Sequence, residues 1–308
     1  MILLILFILT ITIFLINVLK VKTFFTKIKN TISLKSYSDL KNESFDYTPG
    51  GIPKIIIKTS WQKRGSFPTE LEDVLLKSII DLNPGYTLYY FDNNDCEKFM
   101  KDYSNRAYRA YKKLIPGAFK ADLFRYCILE KYGGCYSDIG HILLKPLDDI
   151  IGDNNILIVN EPDSDTRHGI HNAFICCGKN EPLMIKCVDK TCENVEKKFY
   201  GKNSLDVTGP HMMGMVYNEL YPGRIDGINY THNKKILILR LIKKTLYNKQ
   251  KYNIFLDTLE YNYIYDLVSN SIVIKTKFDN YHKIMYPTKK TQHYHRLWRN
   301  KKIYSRNK

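Results

Sequence analysis

Ala118-Phe119-Lys120-Ala121-Asp122-Leu123-Phe124-Arg125-Tyr126, followed by Tyr132-Gly133-Gly134-Cys135-Tyr136-Ser137-Asp138-Ile139-Gly140, is the stretch that decides the fold. Its pattern predicts a helix over 119–132, ended by the Gly133-Gly134 pair, then a short strand over 135–138. Asp122 and Arg125 stand three residues apart on that helix and therefore share a face. The glycines permit a tight turn, and the strand directs Asp138 out from its carboxyl end. Ligands of open α/β sheets sit beyond the carboxyl ends of strands. Two carboxylates and a guanidinium are thus expected at one crevice. Spacing alone also allows a plainer arrangement, with Asp122 and Arg125 bridged on a helix surface and Asp138 capping a turn.

Outward from this stretch, strands and helices alternate. Ile55-Ile56-Ile57 after Pro53 reads as the buried first strand of a parallel sheet. Leu71, Val74, Leu75, Ile79 and Leu82 recur at helical spacing over 70–82, and Asn83-Pro84-Gly85 stops that helix. Residues 86–91 read as a second strand, and Asp92 as the cap of a helix over 93–101. Further strands are expected at 155–160, 172–177, 236–242 and 272–274, and helices at 182–200 and 211–220. Residues 247–265, rich in Asn and Tyr, show no usable period. The alternation argues for an α/β domain with a mainly parallel sheet.

The first 19 residues hold no charged side chain. As a helix they would span about 28 Å, near the thickness of a bilayer core. A cleaved signal peptide needs a basic start and a small-residue cleavage site; the stretch has no Lys or Arg before it and no Ala, Gly or Ser within it. An uncleaved membrane anchor is the better expectation. Lys20, Lys22, Lys27 and Lys29 follow at once, and the positive-inside rule would leave the body cytosolic. Residues 20–51, polar and ending in Pro49-Gly50-Gly51, read as a stem. The folded domain is placed at 52–298 and a basic tail at 299–308. Asn42-Glu43-Ser44 and Asn229-Tyr230-Thr231 are glycosylation sequons that matter only in a secretory lumen.

Seven cysteines form no Cys-x-x-Cys pair and read as buried free thiols. The chain has 47 Lys plus Arg against 31 Asp plus Glu, a net charge of +16, with an average apolar share of 44%. That composition excludes a disordered chain, a collagen and a disulfide miniprotein. The excess charge is weak evidence for nucleic acid, because 37 of the basic residues are Lys and only 10 are Arg, whose fork suits phosphate. Five lysines lie between positions 20 and 35 and eight basic residues in the last 20, so much of the charge is peripheral.

An ordered set of short motifs runs through the body. It comprises Ile52-Pro53-Lys54-Ile55-Ile56, Thr59-Ser60-Trp61, Asn83-Pro84-Gly85-Tyr86, Ala121-Asp122-Leu123-Phe124-Arg125-Tyr126, Lys131-Tyr132-Gly133-Gly134 and Tyr136-Ser137-Asp138. Asn172-Ala173-Phe174-Ile175, Thr208-Gly209-Pro210 and His293-Tyr294-His295-Arg296-Leu297-Trp298 follow. The set resembles the family with a sugar-binding region containing a DXD motif, glycosyltransferase family 32, whose core the clostridial glucosylating toxins share. The resemblance implies a GT-A fold, which is a Rossmann-like nucleotide-sugar-binding domain. It also implies a UDP- or GDP-sugar donor, a divalent cation such as Mn²⁺ or Mg²⁺, and retention of configuration. The acceptor would be a glycan, lipid or protein hydroxyl. Family habit favours a secretory lumen, against the flanking lysines.

The resemblance also implies roles. Trp61 would stack on the base, Asp122 and Arg125 would bind the donor sugar, and Tyr136 would flank the nucleotide. Asp138 would bind ribose and metal, and Asn172 would lie near the sugar. Asp206 is a weaker acceptor-side candidate. One departure matters: Gly140 stands where the motif normally has its second Asp. Asp138, the diphosphate, waters and a distal residue would then hold the metal. His293 or His295 is the distal candidate, both facing one side of an extended tail. His141 could substitute, although strand alternation turns it away from position 140. The alternative is a catalytically weakened nucleotide-sugar- or glycan-binding relative.

Overall fold

The computed structural model describes residues 34–41, 43–161, 169–231, 233–243, 261–286 and 293–305. The expected anchor at 1–19 and the first part of the expected stem lie outside these residues. Among the described residues, no helix is long and apolar enough to cross a membrane.

From Ser36 onward the described chain is one compact unit built on a single mixed sheet. After a short helix α1 (Tyr37–Leu40) come β1 (Ile55–Thr59), α2 (Thr69–Asp73), β2 (Thr87–Phe91), α3 (Asn93–Tyr103), α4 (Asn105–Lys113), α5 (Gly117–Tyr132) and β3 (Gly134–Ser137). Then follow β4 (Ile142–Leu143), α6 (Leu147–Ile151), β5 (Ile156–Asn160), β6 (Phe174–Cys177), α7 (Pro182–Glu196) and α8 (Pro210–Leu220). The last part holds β7 (Gly227–Thr231), β8 (Lys234–Ile242), β9 (Tyr263–Asp266), β10 (Ser271–Lys275), α9 (Tyr281–Met285) and α10 (Tyr294–Arg299). The strands lie in the order β2-β1-β3-β6-β5-β8-β9-β10-β4, and β7 pairs with β8.

The α/β class is as expected, but the sheet is not mainly parallel. Only β1 with β2, β1 with β3 and β5 with β8 run parallel among the described pairs. Two of the antiparallel pairs, β7 with β8 and β9 with β10, are joined by short connections, and a short turn can only reverse direction. The helix expected at 70–82 begins as α2 and widens into a π-helix over Val74–Asp81. Its buried residues Leu71, Leu75 and Ile79 recur every four positions, which suits a turn wider than 3.6 residues.

Helix α5 is the centre of the molecule. Phe119, Leu123, Phe124, Tyr126, Cys127, Ile128 and Leu129 are buried around its whole circumference. A helix apolar on every side belongs inside the core. It packs against α7, and Phe124 meets Phe91 and Phe99 at 5.1 and 5.5 Å between ring centroids. Gly133 and Gly134 then reverse the chain with φ of 69° and 93°, a region that side chains disfavour. A Cβ on Gly134 would stand 2.3 Å from Ile55 Cγ1, so this turn admits only glycine against β1. All seven cysteines are buried.

Candidate active site

Because a tight turn links them, α5 and β3 run in opposite directions. The first turns of the helix therefore lie beside the carboxyl end of the strand. That places Asp122 and Arg125 next to Asp138, the residue just past Ser137. Arg125 Nη2 stands 3.3 Å from Asp138 Oδ1 and 3.4 Å from Asp122 Oδ1. Its Nη1 donates to the Asn172 carbonyl at 2.6 Å, and the guanidinium lies 4.6 Å over the Tyr136 ring. Tyr136 donates its hydroxyl to Asp138 Oδ1 at 3.1 Å. The meeting of helix and strand expected from spacing is thus present, and the Asp122–Arg125 pair is buried rather than set on a helix surface.

Behind Asp122 lies a closed ring of hydrogen bonds. Thr208 Oγ1 donates to Asp122 Oδ2 at 2.7 Å, and Asn172 Nδ2 donates to Asp122 Oδ1 at 2.9 Å. The same amide reaches the Tyr126 hydroxyl at 2.7 Å, and Tyr126 donates to the Thr208 carbonyl at 2.9 Å. Burial raises the Asp122 carboxyl above its usual range, against the pull of Arg125, Thr208 and Asn172. Burial alone would lower the Arg125 guanidinium, but Tyr136, Asp138 and Asp122 around it raise it on balance.

The two carboxylates differ in access. The Asp122 side chain is 11% exposed, whereas that of Asp138 is 43% exposed. Asp138 is therefore the carboxylate that an incoming group reaches first. Tyr136 is 1% exposed and backs Arg125 and Asp138, so it does not flank an open space. Asn172 likewise stands behind Asp122 and Arg125.

Three side chains of the site escaped the sequence. Tyr126 and Thr208 complete the ring around Asp122, and their signal was only the quoted landmarks that contain them. Lys58 is the third. It ends an apolar run in β1 and is 0% exposed. Its amine donates to the Asp138 carbonyl at 2.9 Å and reaches Ser137 Oγ at 3.2 Å. Burial pushes that amine down to about 7, with Asp138 pulling the other way. A cationic residue inside a strand of isoleucines was the available signal.

Gly140 is enclosed: a Cβ there would stand 2.7 Å from Tyr281 Cε2. His141 is buried with Nδ1 3.3 Å from Ser137 Oγ, and its ring lies 5.9 Å from that of His171. Burial, with His171, Lys58 and Arg125 nearby, holds it well below the ordinary imidazole range. It supports the turn from inside and does not take the place of the missing carboxylate. Trp61 is 52% exposed, and its indole N–H donates to the Met285 carbonyl at 3.2 Å. It is an open aromatic surface tied to α9.

The tail histidines are not on an extended strand, because α10 begins at Tyr294. His293 caps that helix, its Nδ1 accepting from the His295 backbone N–H at 3.3 Å. Both ring nitrogens of His295 are occupied, Nδ1 by Ser204 Oγ at 3.2 Å and Nε2 by Arg299 at 3.1 Å. His295 also stacks on Trp298. Asp206 is turned to His211 Nδ1 at 2.9 Å and to the backbone N–H groups of Lys202 and Asn203. Among the described residues, no group of three or more His, Cys, Asp or Glu is arranged to hold a metal ion.

Residues 69–157 match the model of a family described as "Glycosyltransferase sugar-binding region containing DXD motif". That segment contains Asp122, Arg125, Asp138 and Gly140. The chain is 32% identical over 81 residues to the initiation-specific alpha-1,6-mannosyltransferase of Candida albicans, covering 25% of this chain and 21% of that protein. It is 33% identical over 102 residues to the uncharacterized glycosyltransferase L373 of Acanthamoeba polyphaga mimivirus, covering 33% of this chain and 40% of the other. With the mannosyl phosphorylinositol ceramide synthase CSH1 of Saccharomyces cerevisiae it shares 26% identity over 180 residues, 57% of this chain and 45% of that one. In each case the match spans less than half of the relative. Among solved structures, PaToxG Glycosyltransferase aligns with a TM-score of 0.43 and 18% identity, over 56% of this chain and 71% of that chain. The sequence resemblance to DXD-region glycosyltransferases is thus found again by direct comparison, and the family model matches the segment that carries Asp122, Arg125 and Asp138.

Proposed function

We propose that this chain is a glycosyltransferase of GT-A type, tethered to a membrane by residues 1–19. It moves a hexose or N-acetylhexosamine from a UDP- or GDP-sugar to a hydroxyl of a glycan, lipid or protein, with retention of configuration. The observation that carries the reading is the meeting of Asp122, Arg125 and Asp138 past the carboxyl end of β3, inside the segment that matches the family.

In this reading Asp122, held by its ring of hydrogen bonds, accepts from hydroxyls of the donor sugar, and Arg125 donates to them. Asp138 faces the ribose and diphosphate side, and Trp61 offers its open face to the base. Base stacking of this kind contributes about 1–3 kcal/mol. The acceptor hydroxyl attacks the anomeric carbon from the face the diphosphate leaves. One C–O bond forms, the bond to the diphosphate breaks, and the proton passes to the departing phosphate. No enzyme nucleophile is required.

The donor set fits a divalent cation shared with phosphate, not a preformed protein cage. Asp138 Oδ1 is engaged by Arg125 and Tyr136, while the side chain stays half exposed. Mg²⁺ and Mn²⁺ sites commonly use one or two carboxylates plus substrate phosphates. Asp138 would hold the ion, with His293 rather than His295 as the tail residue able to join. The cation would neutralise the leaving diphosphate.

A second reading, a weakened nucleotide-sugar or glycan binder, is favoured by one observation: Tyr281 occupies the space a second motif carboxylate would need. Turnover separates the two. The purified chain with Mn²⁺ should hydrolyse or transfer at least one of a panel of UDP- and GDP-sugars. Binding without any turnover would support the second reading. The side of the membrane is open to a separate test, since a glycan on the half-buried Asn229 would place the domain in a lumen.

A further inference from the structure

We propose that Lys58 is a positioning residue for Asp138: its amine ties down the 137–141 turn and so sets the direction of the one carboxylate the motif retains. The proposal rests on the nucleotide-sugar reading above.

Lys58 sits in a strand whose neighbours Ile55, Ile56 and Ile57 are fully buried, and it is as buried as they are. An aliphatic residue would suit the strand better, because a buried amine loses its water and must find other acceptors. All the acceptors it finds belong to two residues, Ser137 and Asp138: the Asp138 carbonyl at 2.9 Å, Ser137 Oγ at 3.2 Å and the Ser137 carbonyl at 3.5 Å. The Asp138 carbonyl also accepts from the His141 backbone N–H at 3.0 Å, which closes the turn. Ser137 Oγ passes the contact on to His141 Nδ1 at 3.3 Å. The amine thus grips the turn at its start directly and at its end through Ser137. Gly140, within the turn, has no side chain with which to hold it, and Tyr281 covers it.

Such a residue should cost stability and support binding, the reverse of an ordinary core residue. The test uses the full chain, with UDP-glucose and GDP-mannose as probes in calorimetric titrations. Lys58→Met should weaken the probe that binds about tenfold while leaving the Tm unchanged or higher. In an Asp138→Ala background the same change should add less than twofold, because a residue that acts through Asp138 has nothing left to position. Equal losses in both backgrounds would overturn the proposal. Amide hydrogen exchange of the turn, without ligand, is the second readout, and Lys58→Met should speed it at least tenfold. If the native chain binds neither probe, the exchange result alone decides whether Lys58 holds the turn. Unchanged exchange would overturn that as well. Should the methionine variant not fold, Lys58→Leu, which likewise lacks a donor, takes its place under the same criteria.

Discussion

The floor of the crevice and its cover are built on different principles. The floor is α5, the Gly133-Gly134 turn and β3, with Asp122, Arg125 and Asp138 within 16 residues of one another. Its geometry follows from helix spacing and one tight reversal. The cover is α9 and α10, which bring Tyr281 onto Gly140, the Met285 carbonyl to Trp61 and His295 to Ser204. Those contacts join residues 91 to 224 positions apart. The floor is charged and densely hydrogen-bonded, with Arg125 Nε left without a partner, and the cover is aromatic and partly open. The difference teaches that the chemistry is fixed locally, while long-range packing settles what may approach it.

If that division holds, changes in the floor should be severe and changes in the cover mild. The largest effect is expected for Asp138→Ala, which removes the accessible carboxylate. Turnover of any accepted nucleotide sugar should fall by about 10³-fold or more in kcat/KM, as for loss of a main electrostatic group. Asp122→Ala comes next. It leaves Arg125 short of one buried partner and cuts the ring through Asn172 and Thr208. A loss of about 3 kcal/mol in denaturant unfolding is expected, with donor binding lost as well.

Gly140→Ala probes the cover. The added methyl must push the Tyr281 ring aside, at a cost of about 1–3 kcal/mol, and Tyr281→Ala in the same chain should relieve most of it. A smaller or unrelieved cost would show that Tyr281 does not pack on the motif. The mildest change should be His295→Ala. With both ring nitrogens already bonded, its loss should move Mn²⁺ affinity by less than about twofold in the presence of a nucleoside diphosphate, while His293→Ala moves it more. A larger effect at His295 than at His293 would reverse the assignment of the tail.

The same division explains what the sequence made legible. The spacing of Asp122 and Arg125, the paired glycines and the position of Asp138 are local signals, and all three residues meet where helix and strand rules put them. The first parallel strands were legible for the same reason, as apolar runs between helical periods. In the antiparallel part β6, β8 and β10 were expected as strands, but their direction was not legible. Its short strands β4 and β7 carry weak patterns, and direction is fixed by turns and partners that a local window does not contain. Helix α4 was missed because its burial is confined to Ala107, Ala110 and Tyr111 in an otherwise charged segment. The histidines of 293–298 were expected on a strand, but His293 caps a helix there. Lys58 and Tyr281 were invisible as site residues because each is defined by what it meets far along the chain, Lys58 by Ser137 and Asp138 and Tyr281 by Gly140.

The central claim is that this crevice binds a nucleotide sugar through Asp138. It is tested most directly by thermal unfolding of the native chain and of Asp138→Ala against UDP- and GDP-sugars, with and without Mn²⁺. A ligand that binds only the folded state raises the Tm. The account predicts a rise of several degrees for at least one nucleotide sugar with the native chain, larger with Mn²⁺, and no rise with Asp138→Ala. A rise of equal size in both proteins, or none with any donor in the native chain, would contradict it.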